Sequence, residues 1–319
     1  MNSYNRMNEM LSTRPQRLYM YFKAEGAEKF LENHNLKLSD PRKCNDPFEC
    51  AIDYNTSLKT TGYIDKHAYY EQLNELDVRD LQAKWWEAHK HLRISCFTKE
   101  ATNILMWAYY ADGQKGICIE FDPSKDPLFF ENLREVKYRT KLATINKGCG
   151  EELDYSEILI TKAMQWQHEK EWRVIFKDLY SDFFPISPQA ITSVIFGCAS
   201  ASYYNDYGMS GTYERIFQLL QKPEYAHIQL QCISQETDTF KLQCRNMPFF
   251  VFMKDQHTIS IISTQKQCLQ ITRYNDNRDL IYEASVCQWE KTIITLPHGY
   301  YLISNAVDNN TVLVQIFDE

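Results

Sequence analysis

The segment Lys162-Ala-Met-Gln-Trp166-Gln-His-Glu169-Lys-Glu171-Trp-Arg173 gathers two ammonium groups, two carboxylates, a guanidinium and two tryptophans within twelve residues. If the chain is extended here, Glu169, Glu171 and Arg173 alternate onto one face of a strand. If it is helical, Lys162, Trp166 and Glu169 fall at i, i+4 and i+7 along one face. Carboxylates this close raise one another's pKa unless a cation compensates, and Arg173 and Lys162 are both in reach. The plainer alternative is a solvated acidic-basic patch at a helix end. The flanking tryptophans and the apolar run Val174-Ile-Phe weigh against exposure.

Two further segments carry polar and aromatic groups. Asn45-Asp46-Pro-Phe-Glu49 is a rigid polar turn, and Ser95-Cys-Phe-Thr98 leads into the aromatic run Met106-Trp107-Ala-Tyr-Tyr110. Asn45 and Asp46 also read as a turn that caps a neighbouring helix. Trp107 and Tyr110 also read as the core face of their own helix. Cys96 has no discernible His or Asn partner for nucleophilic chemistry, and His168 sits among helix-end charges.

The elements that must position these groups follow from periodicity. Strands are expected near 18–22, 35–39, 92–98, 115–122, 133–139, 172–177, 192–197, 227–233 and 239–244. Helices are expected over 26–33, 63–92, 104–110, 155–169 and 212–221. After Pro248 helical periodicity gives way to seven short alternating strands punctuated by Asn and Asp turns. That texture predicts a small all-β sandwich or barrel. The expected organisation is a flexible 1–16, a main domain 17–246 and an accessory β-domain 247–319.

Composition bounds the function. The 319 residues carry net charge −7, of which the last 73 contribute −3, so neither piece is a polybasic surface for nucleic acid or anionic lipid. Aromatics make up 14% and serve either a thick core or a site that stacks flat rings. The tryptophans at 85, 86, 107, 166 and 172 flank or follow the three segments, which favours stacking. Ten cysteines without a CxxC, several inside apolar runs, read as free thiols of a reduced, cytoplasmic protein. No signal-peptide core, no membrane span and no metal-ligand spacing is evident. Neither G-x-G-x-x-G nor a Walker A occurs, so a Rossmann or P-loop reading fails.

Leu18-Tyr-x-Tyr, Asn45-Asp-Pro-Phe-Glu, Ser95-x-Phe-Thr, Met106-Trp-x-x-Tyr-Ala, Gly116-x-Cys-Ile-x-Phe, Lys162-x3-Trp and Glu169-x-Glu-Trp-Arg occur in one order across about residues 17–246. In that respect the chain resembles the bacterial family catalogued as domain of unknown function 2971. It departs from that family's pattern at Met20, where Lys is common, and at Gln114, where His often stands. The order of motifs also resembles ADP-ribosyltransferases, which build a split β-core around NAD.

That second resemblance implies an α+β fold and an NAD-consuming enzyme, an ADP-ribosyltransferase or NAD glycohydrolase acting as a toxin or anti-phage effector. NAD is then substrate, and no metal is expected. Glu171 is the implied catalytic carboxylate and Glu169 its orienting partner, with Ser95 and Thr98 at the ribose. Tyr19, Tyr21 or Lys23 stand for the first-strand group, and Asn45, Asp46, Trp107, Tyr110, Lys162, Trp166 and Arg173 complete the ligand site. The implied partners are a small nucleotide and a protein or nucleic-acid acceptor. No membrane is involved, and the C-terminal domain would then recognise a target, sense a trigger or dimerise. Two other readings stay open: a nucleotide-sensing module without turnover, and a metal-dependent nuclease using Glu49, Glu169 and Glu171 with Lys162 on phosphate.

Overall fold

The computed structural model describes residues 14–53, 79, 83–87, 90–144, 146–147, 153–154, 156–199, 210–275, 277–305 and 311–316. The fold is mixed α+β and mostly strands, with a large sheet and several small ones. The described residues divide into two compact units. One draws on Met1–Leu18, Asn35–Glu100 and Asp122–Ser187, the other on Tyr19–His34, Ala101–Phe121 and Pro188–Glu319.

In the first unit Glu171–Phe176 lies between Arg93–Thr98 and Leu133–Glu135 and runs antiparallel to both. The register sets Glu171 opposite Thr98, Arg173 opposite Cys96 and Ile175 opposite Ile94. Residues paired across strands share a face, and alternate residues take opposite faces. Trp172, Val174, Phe97 and Ser95 therefore occupy the other face, which phenylalanines cover: Phe97 packs on Phe129 and Phe130, and Phe129 on Phe176 and Phe184. On the first face Ile94 and Ile175 join Cys50, Ile52, Trp85 and Leu159 in an apolar cluster.

Two expectations for this unit are corrected. The strand expected over 133–139 is interrupted at Val136, whose N–H donates to the Glu171 carbonyl at 3.0 Å. Beyond it Lys137–Arg139 pairs in parallel with Thr161–Ala163. The helix expected over 155–169 is instead one short turn, Ser156–Leu159, then the strand Thr161–Ala163, then a 3-10 turn, Met164–Glu169. Lys170 closes that turn in the left-handed region at φ 45°. The helix expected over 63–92 lies largely outside the described residues, of which 83–87 are helical.

In the second unit five strands run in the order Leu242–Asn246, Gln229–Gln235, Ile191–Phe196, Ile117–Phe121, Leu18–Phe22. Helices Ala24–Asn33 and Ser210–Leu220 pack on each other beside this sheet. Phe22 stacks on Phe30 at 5.6 Å and Phe196 on Phe217 at 5.1 Å. Asn103 caps the helix Ile104–Tyr110 by accepting from the N–H groups of Leu105 and Met106. Gly116 lets backbones approach closely: a methyl there would collide with the Phe22 carbonyl oxygen and stand 2.9 Å from Ala111. Neither neighbour is a flexible side chain that can yield. Gly116→Ala is expected to cost about 1–3 kcal/mol as overpacking, read as a lower urea midpoint at unchanged slope.

All seven strands expected after Pro248 are present. Phe249–Met253, Thr258–Ser263 and Lys291–Thr295 form one sheet. Leu280–Val286, Gln267–Arg273, Gly299–Asn305 and Thr311–Ile316 form another. Both contribute to one core that includes Val251, Ile261, Leu269, Ile271, Tyr301 and Ile303. Period-2 alternation explains the arrangement, because Phe250 and Phe252 point away from that core and pack on Phe196 and Phe217. Much of the aromatic excess is thus core material. Trp85, Trp107 and Trp172 are buried, which corrects the expectation that the tryptophans mark a stacking site.

Candidate functional site

Five charged side chains meet on the Glu171 face of the first unit, and each arrives from its own local device. Glu171 and Arg173 sit two apart on one strand. Lys162 comes from Thr161–Ala163, and Glu169 ends the 3-10 turn. Glu49 comes from a tight turn in which Asp46 Oδ1 accepts the Phe48 N–H at 2.9 Å and the Glu49 N–H donates to the Asp46 carbonyl at 3.1 Å.

Arg173 is the hub and is fully buried. Its Nε donates to Glu171 Oε1 at 2.7 Å and one Nη to Glu171 Oε2 at 3.2 Å. The two Nη atoms also clamp Glu49, at 2.6 Å to Oε1 and 2.9 Å to Oε2, and one donates to the Leu159 carbonyl at 2.9 Å. Those contacts use all five N–H bonds of a guanidinium. Arg173 therefore has none left for a ligand phosphate, which corrects its expected role in binding.

Lys162 Nζ bridges the other two carboxylates, donating to Glu171 Oε2 at 2.9 Å and to Glu169 Oε2. The same ammonium stands 5.1 Å from the centre of the Trp166 ring, a cation–π contact with a half-buried tryptophan. The Tyr138 hydroxyl accepts the Glu171 N–H at 2.7 Å. Glu49, Glu169 and Glu171 all have nearly buried side chains, so three carboxylates and two cations share a space of little solvent.

The electrostatics follow from that crowding. Burial pushes the Glu171 carboxyl up, but Arg173 and then Lys162, by charge and by hydrogen bonds, more than reverse it and leave it at about 2. Burial pushes Lys162 down, and Glu171 and Glu169 more than reverse that, so it stays protonated well beyond its ordinary range. Burial raises the Cys96 thiol, and the Glu171 charge raises it further. Cys44, half-buried beside the same charges, is pushed up to about 11 by burial and then by Glu49. None of these thiols is a poised nucleophile.

A pH window results. Glu171 has a folded pKa below its ordinary 4.5, so its ionisation stabilises the fold fully above that value and the contribution fades as pH falls toward 2. A carboxyl moved from 4.5 to about 2 supplies about 3 kcal/mol. Lys162 works with the opposite sign: its contribution is complete below 10.5 and is lost only at higher pH. The urea midpoint is expected to stay level from about pH 5 to 8, to fall below pH 4.5, and to fall again above about pH 9, where the unfolded chain ionises thiols that burial keeps neutral in the fold. Glu171→Gln should lack much of that acid-side fall. An equally steep fall in the variant would show that other groups carry it.

Of the residues expected at one site, the structure gathers Glu171, Glu169, Lys162, Arg173 and Trp166, with Thr98 opposite Glu171. Thr98 Oγ1 accepts the Glu100 N–H at 3.2 Å. Ser95 is not gathered: it lies on the phenylalanine face, opposite to Glu171, and its buried hydroxyl has no hydrogen-bond partner among the described residues. Asp46 is buried as a turn former and Asn45 is exposed beside it.

Tyr19, Tyr21, Lys23, Trp107 and Tyr110 belong to the second unit. There Trp107 is a core residue whose indole N–H donates to the Ala101 carbonyl at 2.7 Å and whose ring stands perpendicular to that of Tyr21, centres 5.1 Å apart. Tyr110 is half-buried against Tyr109, and Lys23 is exposed at the start of its helix. Sequence reasoning missed Glu49 as an ion partner, Tyr138, and Cys96 as the thiol beside Glu171. For the nuclease reading, Lys162 and Arg173 already occupy the carboxylate oxygens. Among the described residues no group of three His, Cys, Asp or Glu is placed to hold a metal ion.

Fold and site together define a strand-rich α+β protein organised, in its first unit, around a buried five-member ion cluster. Residues 106–174 match the model of a family described as protein of unknown function (DUF2971), which supports the resemblance to that family. The matched segment holds Lys162, Trp166, Glu169, Glu171 and Arg173, while Asn45 to Glu49 and Ser95 to Thr98 lie outside it. No curated protein and no solved structure matches the chain. Among the described residues no helix is long and apolar enough to cross a membrane.

Proposed function

We propose that this chain consumes NAD, as an ADP-ribosyltransferase or NAD glycohydrolase built on an ADP-ribosyltransferase-like split β-core, with Glu171 as the catalytic carboxylate. One observation carries the reading. An ionised, rigidly held carboxylate opens a late strand directly opposite Thr98, which ends the Ser-x-Phe-Thr strand. Cleaving the nicotinamide–ribose bond builds oxocarbenium character at the ribose. A fixed carboxylate stabilises that charge without reorganising and accepts a ribose hydroxyl. Arg173 holds Glu171 ionised for this role. Lys162 occupies Oε2, so a ribose hydroxyl takes that position only as Lys162 withdraws onto Glu169, its second carboxylate. Glu169 then faces the acceptor side, where water or a protein or nucleic-acid nucleophile attacks. The free thiols among the described cysteines agree with a cytoplasmic protein, and the toxin or anti-phage role comes with the class of enzyme proposed.

A second reading, a nucleotide sensor without turnover, is favoured by a different observation. Two N–H groups of Arg173, the Lys162 ammonium and the Cys96 thiol already engage Glu171, which fills the acceptor positions of a carboxylate. Incubating the protein with NAD and measuring free nicotinamide separates the two. Release, with or without added acceptor, supports the enzyme. Saturable NAD binding without release supports the sensor, and neither binding nor release removes NAD from consideration.

A further inference from the structure

A guanidinium in the interior can be turned in its own plane unless acceptors fix more than one of its edges. Arg173 offers its Nε edge to Glu171, and Glu171 alone would leave the opposite pair of Nη hydrogens free to pivot. Glu49 takes that pair with two bonds, and the Leu159 carbonyl takes the last hydrogen. We infer that Glu49 is the positioning residue of the Glu171 carboxylate, acting through Arg173.

The turn that carries Glu49 is built to hold it still. Asp46 fixes the Phe48 and Glu49 amides, Pro47 restricts the chain, the Ala51 N–H donates to the Phe48 carbonyl at 3.0 Å, and Cys50 takes a left-handed φ of 55°. Arg173 and Glu49 lie 124 residues apart, so the clamp also ties this turn to the catalytic strand of the proposed reading, on which the activity arm of the test rests.

Charge and positioning predict opposite signs when Glu49 is neutralised. Glu171 is faced by Arg173 on its own strand, Lys162, Glu169, Glu49, Tyr138, Cys96 and Cys44. If Glu49 acts only as a nearby negative charge, its removal relieves repulsion and Glu171 stays ionised at least as far into acid as before. If Glu49 positions Arg173, the guanidinium turns away and Glu171 loses its main stabiliser.

The test is a side-chain carboxyl NMR titration of the full chain, with the Glu171 signal assigned by its loss in Glu171→Gln. In Glu49→Gln the Glu171 signal is expected to titrate at least one pH unit higher than in the unaltered protein, tenfold in its acid constant. An unchanged or lower value overturns the inference. Should Glu49→Gln fail to fold, Glu49→Asp, which keeps the charge but falls one methylene short, is expected to raise the Glu171 titration by a smaller amount, and an unchanged or lower value there also overturns the inference. In the activity arm Glu49→Gln lowers kcat for nicotinamide release at least tenfold with KM changed less than twofold, and Glu49→Asp restores part of it. A chain that releases no nicotinamide defeats the NAD reading alone, because the titration decides the role of Glu49 without it.

Discussion

Arg173→Met is expected to lower the unfolding free energy by about 3–5 kcal/mol, the cost of stripping one partner from a buried charge network. Methionine fills much of the volume, so the loss is electrostatic rather than a cavity. Glu169 and Glu171 would then share the ammonium of Lys162, Glu49 would lose its guanidinium partner, and the Leu159 carbonyl would lose its donor. Part of the penalty should be avoided by protonation, so the variant should regain stability as pH falls from 7 toward 5, where the unaltered protein is level. Arg173→Lys should not rescue it, because an ammonium cannot span the edges that Glu49 and Glu171 occupy. Removing Glu49 in the same molecule, as Arg173→Met with Glu49→Leu, should cost less than the sum of the single changes. Chemical denaturation of the four proteins measures this. Simple additivity would mean that the five charges do not act as one network.

The parts of this network differ in how far local sequence could reveal them, for physical reasons. Glu171 and Arg173 are two apart on an apolar strand, and the period of a strand alone puts them together. The seven C-terminal strands were legible for the same reason, with Asn and Asp turns between them. The same period also separates Ser95 from Thr98, three apart on their strand, so their divergence was present in the sequence although the motif reading grouped them. Cys96, two residues before Thr98, is the one that shares the Glu171 face.

The 155–169 segment shows where local pattern fails. Its leucine, isoleucine, lysine and glutamine content suits a helix, yet Lys162 must reach both Glu169 and Glu171. A strand followed by a 3-10 turn meets that need, so tertiary demand overrides propensity. Glu49 left a different trace. Nothing local links it to Arg173, but a rigid Asn-Asp-Pro-Phe-Glu turn is the kind of device that aims one side chain, here at a guanidinium rather than at a ligand. The tryptophans misled for a related reason: clustering near motifs in sequence does not distinguish a stacking wall from the core that supports it.

Glu171→Gln is expected to reduce nicotinamide release by about 10³-fold, the scale seen when a preorganised electrostatic group is removed from a developing charge. Glutamine keeps the shape but presents an amide N–H₂ to donors that need an acceptor, so the variant also loses the roughly 3 kcal/mol that the Glu171 ionisation supplies. Stability and chemistry must therefore be read apart, with activity measured where the variant is still folded and normalised to folded protein. Glu169→Gln supplies the contrast. It leaves Lys162 bound to Glu171 and removes the carboxylate to which Lys162 would withdraw, so release should fall less in NAD glycohydrolysis than in transfer to an acceptor that Glu169 orients. If Glu171→Gln keeps its release within tenfold of the unaltered protein while folded, Glu171 is not the carboxylate at the ribose. The cluster is then an internal strut that joins the Glu49 turn, the Lys162 strand and the Glu171 strand.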